Sequence, residues 1–547
     1  HKHFTDIVSA FSLSGTPKEN DILPVYKRYF DGIPYFKDHP ELCGFYDIPG
    51  DHLNRKVPFG LLRGNGNDTV VLIHHSDVVD TLNYLELQPL ATNSEALDEA
   101  LRSGQLNMDD DSKADLLSGE WIFGRGVADM KGGGADQMAL FEEYATRKEF
   151  NGNLLILPVA DEESYSTGMR GAVLLMTELK KKYGLNYITL IDSEPDSRKI
   201  NDRPTITDGS VGKILPIVYV QGVPAHVGYL FDGFNPATLL SEIVVRTDAN
   251  MEFSEKSGNS VASPPSWLYV KDQKYLYDVT LPAAAMGCIS ILSLDRSPVE
   301  LFALLKKICA DAMDDVISKR NSSFQKYTEM HGTPVTSLLY KTCVMEYGDV
   351  YEEAKRDSGD EFVKAITELI RQVGDEVKAD KLSFADAASK IIEKTLSFRK
   401  DRSPVVVLAL IPPYYPCVNN KMVPDRMPPL TKALNEMQAY AAKNYGGEYG
   451  VVNYISGISD LSYGMFTASD ENIDFIGNNM LFWKDLYYVP LAEIRDNTMP
   501  VINIGPYGKD FHKFTERVYK DDLYYRVPVL LDIVISDLLG NERIFSE

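Results

Sequence analysis

The chain has 547 residues, of which 44% are hydrophobic and 25% are charged. This composition is typical of a folded protein with two to four domains of roughly 150 residues each, and it excludes the disordered and fibrous classes. The 56 lysines and arginines against 79 aspartates and glutamates give a formal charge of −23. Such a charge repels phosphate groups, so we expect neither nucleic acid nor a membrane surface as a partner.

No stretch approaches the roughly 18 to 20 uncharged apolar residues that cross a bilayer, and the opening segment is too weakly apolar for a secretion signal. We therefore expect a cytoplasmic protein. The five cysteines are far apart and form no C-x-x-C pair. Since this pattern argues against a disulfide framework and a cysteine-built zinc site, any metal must be held by histidines and carboxylates.

Four short apolar runs predict buried strands at 69–73, 154–157, 187–191 and 501–504. They lack period-two alternation, which is typical of central strands covered by helices on both faces. Segments of helical character at 133–147 and 171–182 lie between the first three runs. The sequence therefore predicts an α/β fold whose main domain has three layers around a mostly parallel sheet. Ligands are expected at the carboxyl ends of its strands.

Between 213 and 416 the pattern changes to the alternation of a split β-α-β, ferredoxin-like α+β domain. The predicted elements are a strand at 214–221, a helix at 236–246, strands at 277–281 and 288–294, a helix at 298–318 and a strand at 405–410. We predict that this domain is inserted into a main domain formed by 1–212 and 417–547. Apolar residues at helical spacing in 362–373 and 384–396 predict an extra helical hairpin within the insertion.

His75 and Asp77 follow the first predicted strand. In a His-x-Asp unit on an extended backbone the two side chains share a face, so the carboxylate can orient an imidazole that binds a metal. A satisfied polar pair without a ligand is the alternative interpretation of this short motif.

Asp129 lies within the glycine-rich segment 124–134. Glycines permit positive φ and close backbone approach, which predicts a tight loop that places Asp129 in a crowded site. A phosphate-binding loop is the rival interpretation. It fails because neither G-x-G-x-x-G nor G-x-x-x-x-G-K-[ST] is present, and because a central carboxylate would repel a phosphate.

Carboxylates and a second histidine follow the remaining predicted strands. Residues 161–163 are three adjacent acids after the second strand, Asp192 and Glu194 follow the third strand, and His512 follows the fourth. Adjacent carboxylates repel one another, which is tolerable when a cation neutralises them or when one carries a proton at a raised pKa. A solvated acidic loop is the alternative for 161–163.

All these groups fall at one edge of a single predicted sheet. Imidazole and carboxylate ligands without thiolates suit a pair of divalent ions, with zinc first and cobalt or manganese as alternatives. Two ions about 3.5 to 4 Å apart can share a water and lower its pKa toward neutrality. The residues therefore predict hydrolysis by a metal-activated water.

Seven segments of the chain, in this order, resemble motifs of the M20 metallopeptidase superfamily of zinc-dependent aminoacylases, carboxypeptidases and succinyl-diaminopimelate desuccinylases. They are HHSDVVD, GRGVADMKGGG, ADEESYSTG, IDSEPD, GVPAHVG, GISDLSYG and GPYGKDFHKFTER. Together they extend over nearly the whole chain. The length and the helical insertion are similar to the RocB-like arginine-utilisation branch.

The resemblance implies roles for the residues that match these motifs. The implied metal ligands are His75 and Glu194 for one ion, Glu163 and His512 for the other, and Asp129 as the bridge. Glu194 is preferred to Asp192 because Glu-Pro matches the commoner pattern. Glu162 would be the general base, and Asp77 would orient His75.

The resemblance further implies a cis peptide bond after Asp129. His226, in the inserted domain, corresponds to a histidine that reaches the site of a neighbouring subunit and stabilises the oxyanion there. Asn235 would contact the substrate from the same domain. Because the inserted domain of this family usually mediates dimer contacts, a homodimer is implied.

The function expected from these features is hydrolysis of an amide bond in a small peptide or an N-acyl amino acid. One alternative is hydrolysis of another amide or an amidine linked to arginine metabolism. The alternative from a different class is a catalytically silent binding or regulatory protein on the same scaffold. The presence of Glu162 together with all five implied ligands speaks against a silent protein, which has no chemical need for a base.

Overall fold

A computed structural model describes residues 1–198, 203–274, 276–334, 337–455 and 457–545. Within these residues the strands are β1 (Cys43–Asp47), β2 (Lys56–Arg63), β3 (Asn65–His75), β4 (Trp121–Phe123), β5 (Asn151–Val159), β6 (Asn186–Asp192), β7 (Thr205–Thr207), β8 (Gly209–Ser210), β9 (Gly212–Gln221), β10 (Lys256–Ser257), β11 (Ser260–Val261), β12 (Ser266–Asp272), β13 (Ala284–Ser293), β14 (Val344–Glu346), β15 (Val405–Tyr415), β16 (Val418–Asn419), β17 (Gly450–Val452), β18 (Val501–Asn503), β19 (Gly508–Lys509) and β20 (Arg517–Tyr519).

The α-helices of the same residues are α1 (Lys2–Val8), α2 (Leu23–Gly32), α3 (Pro34–Asp38), α4 (Ser94–Arg102), α5 (Asp110–Ser118), α6 (Lys131–Ala145), α7 (Thr167–Tyr183), α8 (Pro236–Thr247), α9 (Pro298–Met330), α10 (Tyr347–Lys378), α11 (Phe384–Leu396), α12 (Met427–Tyr445), α13 (Asp470–Asn479), α14 (Leu491–Asp496) and α15 (Val527–Leu539). Among the described residues, none of these helices combines the length and the apolar character that spanning a bilayer requires.

The larger sheet has eight strands in the order β1-β2-β5-β3-β6-β18-β7-β17. Its centre, β5-β3-β6-β18, consists of the four strands that the apolar runs predicted, and these strands pair in parallel. The pairs β1–β2, β2–β5 and β18–β7 are antiparallel. The carboxyl ends of the four central strands therefore meet at one edge of the sheet, where the motif residues follow them.

Helices cover both faces of this sheet. Residues 69–75 of β3 are all buried, and successive side chains of a strand point to opposite faces, so neither face is open to solvent. Helices α6 and α15 contact β3 and β5, whereas α7 contacts β2 and β5. Because α6 begins at Lys131 and α7 at Thr167, each helix anchors a loop that carries motif carboxylates.

The second sheet has the order β12-β13-β9-β15-β14. In chain order β9, α8, β12, β13, α9 and β15 follow the predicted split β-α-β alternation. The predicted strand at 277–281 is wrong. The strand at this place beside β13 is β12, which begins eleven residues before the predicted strand. Within 277–281, Thr280 forms only an isolated bridge with His226. Trp267 and Tyr269 of β12 are half-buried, but Tyr277 is 92% exposed.

Different helices cover the two faces of the second sheet. Val218 and Val220 of β9 belong to the same apolar cluster as buried residues of α8 and α9. Ile217 and Tyr219, which alternate with them, pack with buried residues of α10 and α11. The predicted helical hairpin is thus the cover of the second face.

Both helices of the predicted hairpin are present. Helix α10 extends well beyond the predicted 362–373, and α11 matches the predicted 384–396 closely. Ser383 begins α11 because its side chain accepts the backbone N–H of Asp386, as an N-cap does. An α/β main sheet with an inserted α+β unit and an extra hairpin is therefore confirmed as the fold class.

Candidate metal centre

His75 is the last residue of β3 and is fully buried. Its Nδ1 lies 3.1 Å from the main-chain oxygen of Asp77 and 3.6 Å from the Asp77 carboxylate. One imidazole nitrogen is therefore held by residue 77, and Nε2 is directed toward the other carboxylates of the site.

Asp77 also holds the acidic turn after β5. Its two carboxylate oxygens accept the backbone N–H groups of Glu162 at 3.2 Å and Glu163 at 3.3 Å. Burial alone would raise the pKa of Asp77, but the contacts with His75 and the N–H of Glu162 lower it. Asp77 thus fixes His75 and the turn together, a role beyond the orientation of His75 that the sequence predicted.

Asp129 lies between the two imidazoles. His75 Nε2 is 3.0 Å from Asp129 Oδ1, and His512 Nε2 is 3.2 Å from Asp129 Oδ2. Glu163 Oε1 is 3.0 Å from His512 Nε2, and Glu194 Oε1 is 3.6 Å from His75 Nε2. The peptide bond between residues 129 and 130 is cis. Four residues from distant points of the chain therefore meet around the carboxylate of Asp129.

These side chains have the donor chemistry of a divalent metal site. Potential ligand atoms of His75, Asp129 and Glu163 lie within 4.8 Å of one another, as do those of His75, Glu162 and Glu194. Burial, followed by repulsion from neighbouring carboxylates, raises the pKa values of Glu162, Glu163 and Glu194. Because bound cations would neutralise this repulsion, the residues fit a pair of divalent ions.

Asp192 and Glu194 follow the same strand but have different surroundings. The carboxylate of Asp192 accepts the N–H of Ser193 at 2.9 Å and the hydroxyl of Ser459 at 3.2 Å. Burial raises the pKa of Asp192 to about 7. Glu194, in contrast, faces His75.

A buried ion pair that the sequence analysis did not single out supports two loops of the site. Arg125 Nη1 lies 2.5 Å from Glu516 Oε2, and both side chains are buried. Glu516 Oε1 accepts the N–H groups of Ala128 and Asp129 at 3.3 Å each. Arg125 Nη2 donates to the main-chain oxygen of His512 at 3.1 Å. The sequence indicated this pair only in that Arg125 lies in the glycine-rich motif and Glu516 in the motif that contains His512.

Asp460, in the GISDLSYG segment, was also missed. Its side chain is buried, and burial with repulsion from Asp192 raises its pKa to about 8. It therefore belongs to the same group of buried carboxyls as Asp192.

His226 and Asn235 lie apart from this cluster. His226 is exposed, and its ring nitrogen accepts the N–H of Gly228 at 3.1 Å. Asn235 is the N-cap of α8, where its side-chain oxygen accepts the N–H of Ala237 at 3.0 Å. Asn235 therefore caps α8, and the contacts of neither residue reach the metal cluster, so their roles toward a substrate stay predictions.

The glycine-rich segment has two structural roles. Gly126 has φ of +76°, in the tight loop before Asp129 that the sequence predicted. The later glycines lie inside α6 and permit close packing. A Cβ at Gly133 would lie 2.0 Å from the main-chain oxygen of Ser193, and one at Gly134 would lie 2.7 Å from the ring of His74. Helix α6 can therefore approach the strand ends only without side chains here.

We expect Gly133→Ala to destabilise the protein by about 1–3 kcal/mol, because the added methyl group overpacks against the backbone beside Glu194. Urea denaturation measures the free energy of unfolding. Gly32→Ala, in α2 where an added Cβ meets nothing within 4 Å, is the matched control and should be neutral or slightly stabilising. Equal stability of the two variants would contradict the packing argument.

Known proteins are similar to this chain in sequence and in fold. The sequence profile of peptidase family M20/M25/M40 matches residues 111–536. The chain belongs to this family. Protein YqjN of Bacillus subtilis (strain 168), described as uncharacterized, is 31% identical over 542 residues, covering 98% of this chain and 95% of that protein. Protein RocB of the same organism is 28% identical over 542 residues, covering 98% and 94%.

A solved structure shares the fold of this chain. The di-peptidase Dug1p from Saccharomyces cerevisiae has a TM-score of 0.52 at 12% identity, covering 99% of this chain and 96% of that chain. The predicted relationship to M20 enzymes is therefore confirmed. This chain is a peptidase or amidohydrolase of a metal-dependent family.

Proposed function

We propose that this chain is a dinuclear metal-dependent hydrolase that cleaves an amide bond in a small peptide or an N-acyl amino acid. The observation that carries the proposal is the position of Asp129. Its two oxygens lie 3.0 Å from His75 and 3.2 Å from His512. A carboxylate with one imidazole on each oxygen is suited to bridge two ions.

The residues would hold the ions in two sets that share Asp129. The sets are His75 with Glu194, and His512 with Glu163. Zinc is the preferred ion, with cobalt or manganese as alternatives, because all donors are imidazoles and carboxylates. When bound, such a pair supplies a water of lowered pKa and electrophilic stabilisation of the carbonyl oxygen.

Glu162 is the proposed general base. It is 6% exposed, and burial raises its pKa, which brings the carboxyl group toward the range useful for proton transfer at neutral pH. Its carboxylate takes a proton from the attacking water and returns that proton to the leaving amide nitrogen. Asp77 keeps this residue in place by accepting its backbone N–H.

The remaining parts of the proposal concern the whole molecule. Residues 1–212 and 417–547 form the catalytic domain, and residues 213–416 form a lid that also makes the contacts of a homodimer. His226 is exposed on the lid, which suits a residue that acts on the oxyanion in a partner's site. Asn235, which caps α8 in the same lid, contacts the substrate. We place the enzyme in the cytoplasm.

Metal removal tests this proposal directly. We expect chelation to abolish hydrolysis and added Zn²⁺, Co²⁺ or Mn²⁺ to restore it, with two ions per chain by elemental analysis. The screen comprises dipeptides, N-acyl amino acids, and acylated arginine and ornithine. Activity on the last group alone would favour the arginine-linked alternative. Two bound ions with no hydrolysis across the screen would favour a silent binding protein.

A further inference from the structure

A cavity separate from the metal centre lies behind the loop that carries Glu162 and Glu163. It has a volume of about 590 Å³, within the range of small-molecule sites. Its lining comes from Gly15 and from residues of four segments, 48–55, 161–174, 377–386 and 484–490. Among the described residues that line it, none belongs to the proposed metal ligands. Three of these segments, 48–55, 161–174 and 484–490, belong to the main domain. The fourth, 377–386, contains the turn of the α10–α11 hairpin.

The charged groups deep in this cavity are already paired. Arg55 forms ion pairs with Asp51 at 2.8 Å and with Asp161 at 2.9 Å, and all three side chains are buried. Arg170 donates to the main-chain oxygens of Tyr165 and Tyr488 and to the hydroxyl of Thr167. Deep in the cavity, Arg55 is therefore committed to ion pairs, and Arg170 to hydrogen bonds with neutral groups.

The cavity mouth is different. Lys378, Lys381 and Lys484 are exposed, and within the described chain none of them has an ion-pair partner. Asp380 and Asp485 also line the mouth, so the lysines leave it a net positive charge. A third carboxylate at the mouth, that of Asp386, is paired with Lys271 at 2.5 Å.

The walls between floor and mouth are apolar and aromatic. Tyr165 and Phe384 contact each other edge to face with ring centroids 5.5 Å apart, and Leu174, Leu382 and Leu486 complete the surface. Such walls bury a hydrophobic body, while lysines at the mouth attract an anion. The complementary ligand carries an apolar or aromatic body and one negative group.

We propose that this cavity binds a small organic carboxylate with an apolar or aromatic body. The carboxylate pairs with Lys378 and Lys381 at the mouth, and the body packs against Tyr165 and Phe384. This is a site separate from the metal centre, and its existence does not require the proposed hydrolysis.

The cavity shares a wall with the catalytic loop, so its ligand acts on that loop. The segment 161–167 lines the cavity on one side and carries Glu162 and Glu163 on the other. Asp161 and Ser166 bracket the turn with φ of +69° and +47°, a conformation that the surrounding contacts must hold. The N–H groups of Ser164, Tyr165 and Ser166 all bond to the oxygen of Asp161. Filling the cavity behind Tyr165 tightens this turn.

Binding of 3-phenylpropionate to the metal-loaded protein, measured by isothermal titration calorimetry, tests the site. We expect one bound molecule per chain, and at least tenfold weaker binding of 3-phenylpropylamine, phenylalanine and acetate. The double variant Lys378→Met/Lys381→Met should weaken binding at least tenfold, and Leu382→Trp should abolish it by filling the cavity. Lys364→Met, an exposed lysine on α10 outside the cavity, is the matched control and should bind like the parent.

Hydrogen exchange provides a second readout that is independent of any activity. We expect 3-phenylpropionate to slow exchange of the amides at 164–166 in the parent and not in Leu382→Trp. Unchanged exchange would overturn the coupling to the catalytic loop. Equal binding to the parent, the double lysine variant and Leu382→Trp would place the carboxylate at the metals and overturn the site. Tighter binding of the amine or of phenylalanine would overturn the ligand class.

Discussion

We expect replacement of the proposed base Glu162 by glutamine to lower kcat by about 10²- to 10⁴-fold while the two proposed metal ions per chain remain bound. Glutamine has nearly the shape of glutamate, but its amide cannot accept the proton of the attacking water. The backbone N–H of residue 162 still donates to Asp77, so the turn keeps its position. The loss is therefore expected in the chemical step, with little change in KM.

Glu163→Gln is the matched control because the two residues are neighbours on one turn. Glu163 lies 3.0 Å from His512 Nε2, so its replacement removes a proposed ligand rather than the base. We expect this variant to lose metal by elemental analysis and to regain part of its activity at high metal concentration. Since ligand atoms of Glu162 also lie within 4.8 Å of those of His75 and Glu194, the metal content decides the assignment. Metal loss in Glu162→Gln, with retention in Glu163→Gln, would mean that the two roles are exchanged.

The sequence was informative about the site because the chemistry follows strand ends. The runs at 69–73, 154–157, 187–191 and 501–504 lie in β3, β5, β6 and β18, which are neighbours in the sheet. Parallel pairing forces their carboxyl ends to one edge, so His75 and His512 meet although they are distant in the chain. Hydrophobic patterning is a local property, and it was sufficient to find these strands.

The errors concern features that only tertiary contacts determine. Residues 277–281 have strand-like composition, yet β12 takes their predicted place because Trp267 and Tyr269 pair with β13. The Arg125–Glu516 ion pair joins residues 391 positions apart, and no local sequence pattern predicts a contact at that separation. The Asn-Pro start of α8 is, in contrast, a local capping signal, and the structure has Asn235 as the N-cap of that helix.

Arg125→Met is expected to destabilise the protein by about 3–5 kcal/mol. The substitution keeps much of the side-chain volume but leaves the carboxylate of Glu516 buried without its cation. It also removes the hydrogen bond from Arg125 to the main-chain oxygen of His512. We therefore expect weaker metal binding as well. Arg371→Met, which breaks an exposed ion pair with Glu368, is the control and should leave the stability nearly unchanged.

The cost of Arg125→Met should increase with pH in the metal-free protein. Burial already raises the pKa of Glu516 from 4.5 to about 7, and loss of the arginine raises it further. When the pKa of a carboxyl group is higher in the folded than in the unfolded protein, its contribution to the free energy of unfolding is fully present below the unfolded-state pKa. That contribution is lost as the pH rises through the folded-state pKa. The parent has completed this loss above about pH 7, whereas the variant continues to lose stability. The difference in unfolding free energy should therefore be larger at alkaline pH than at acidic pH. Adding Glu516→Gln to Arg125→Met should remove this pH dependence, because glutamine does not titrate, and a persisting dependence would assign the effect to another group.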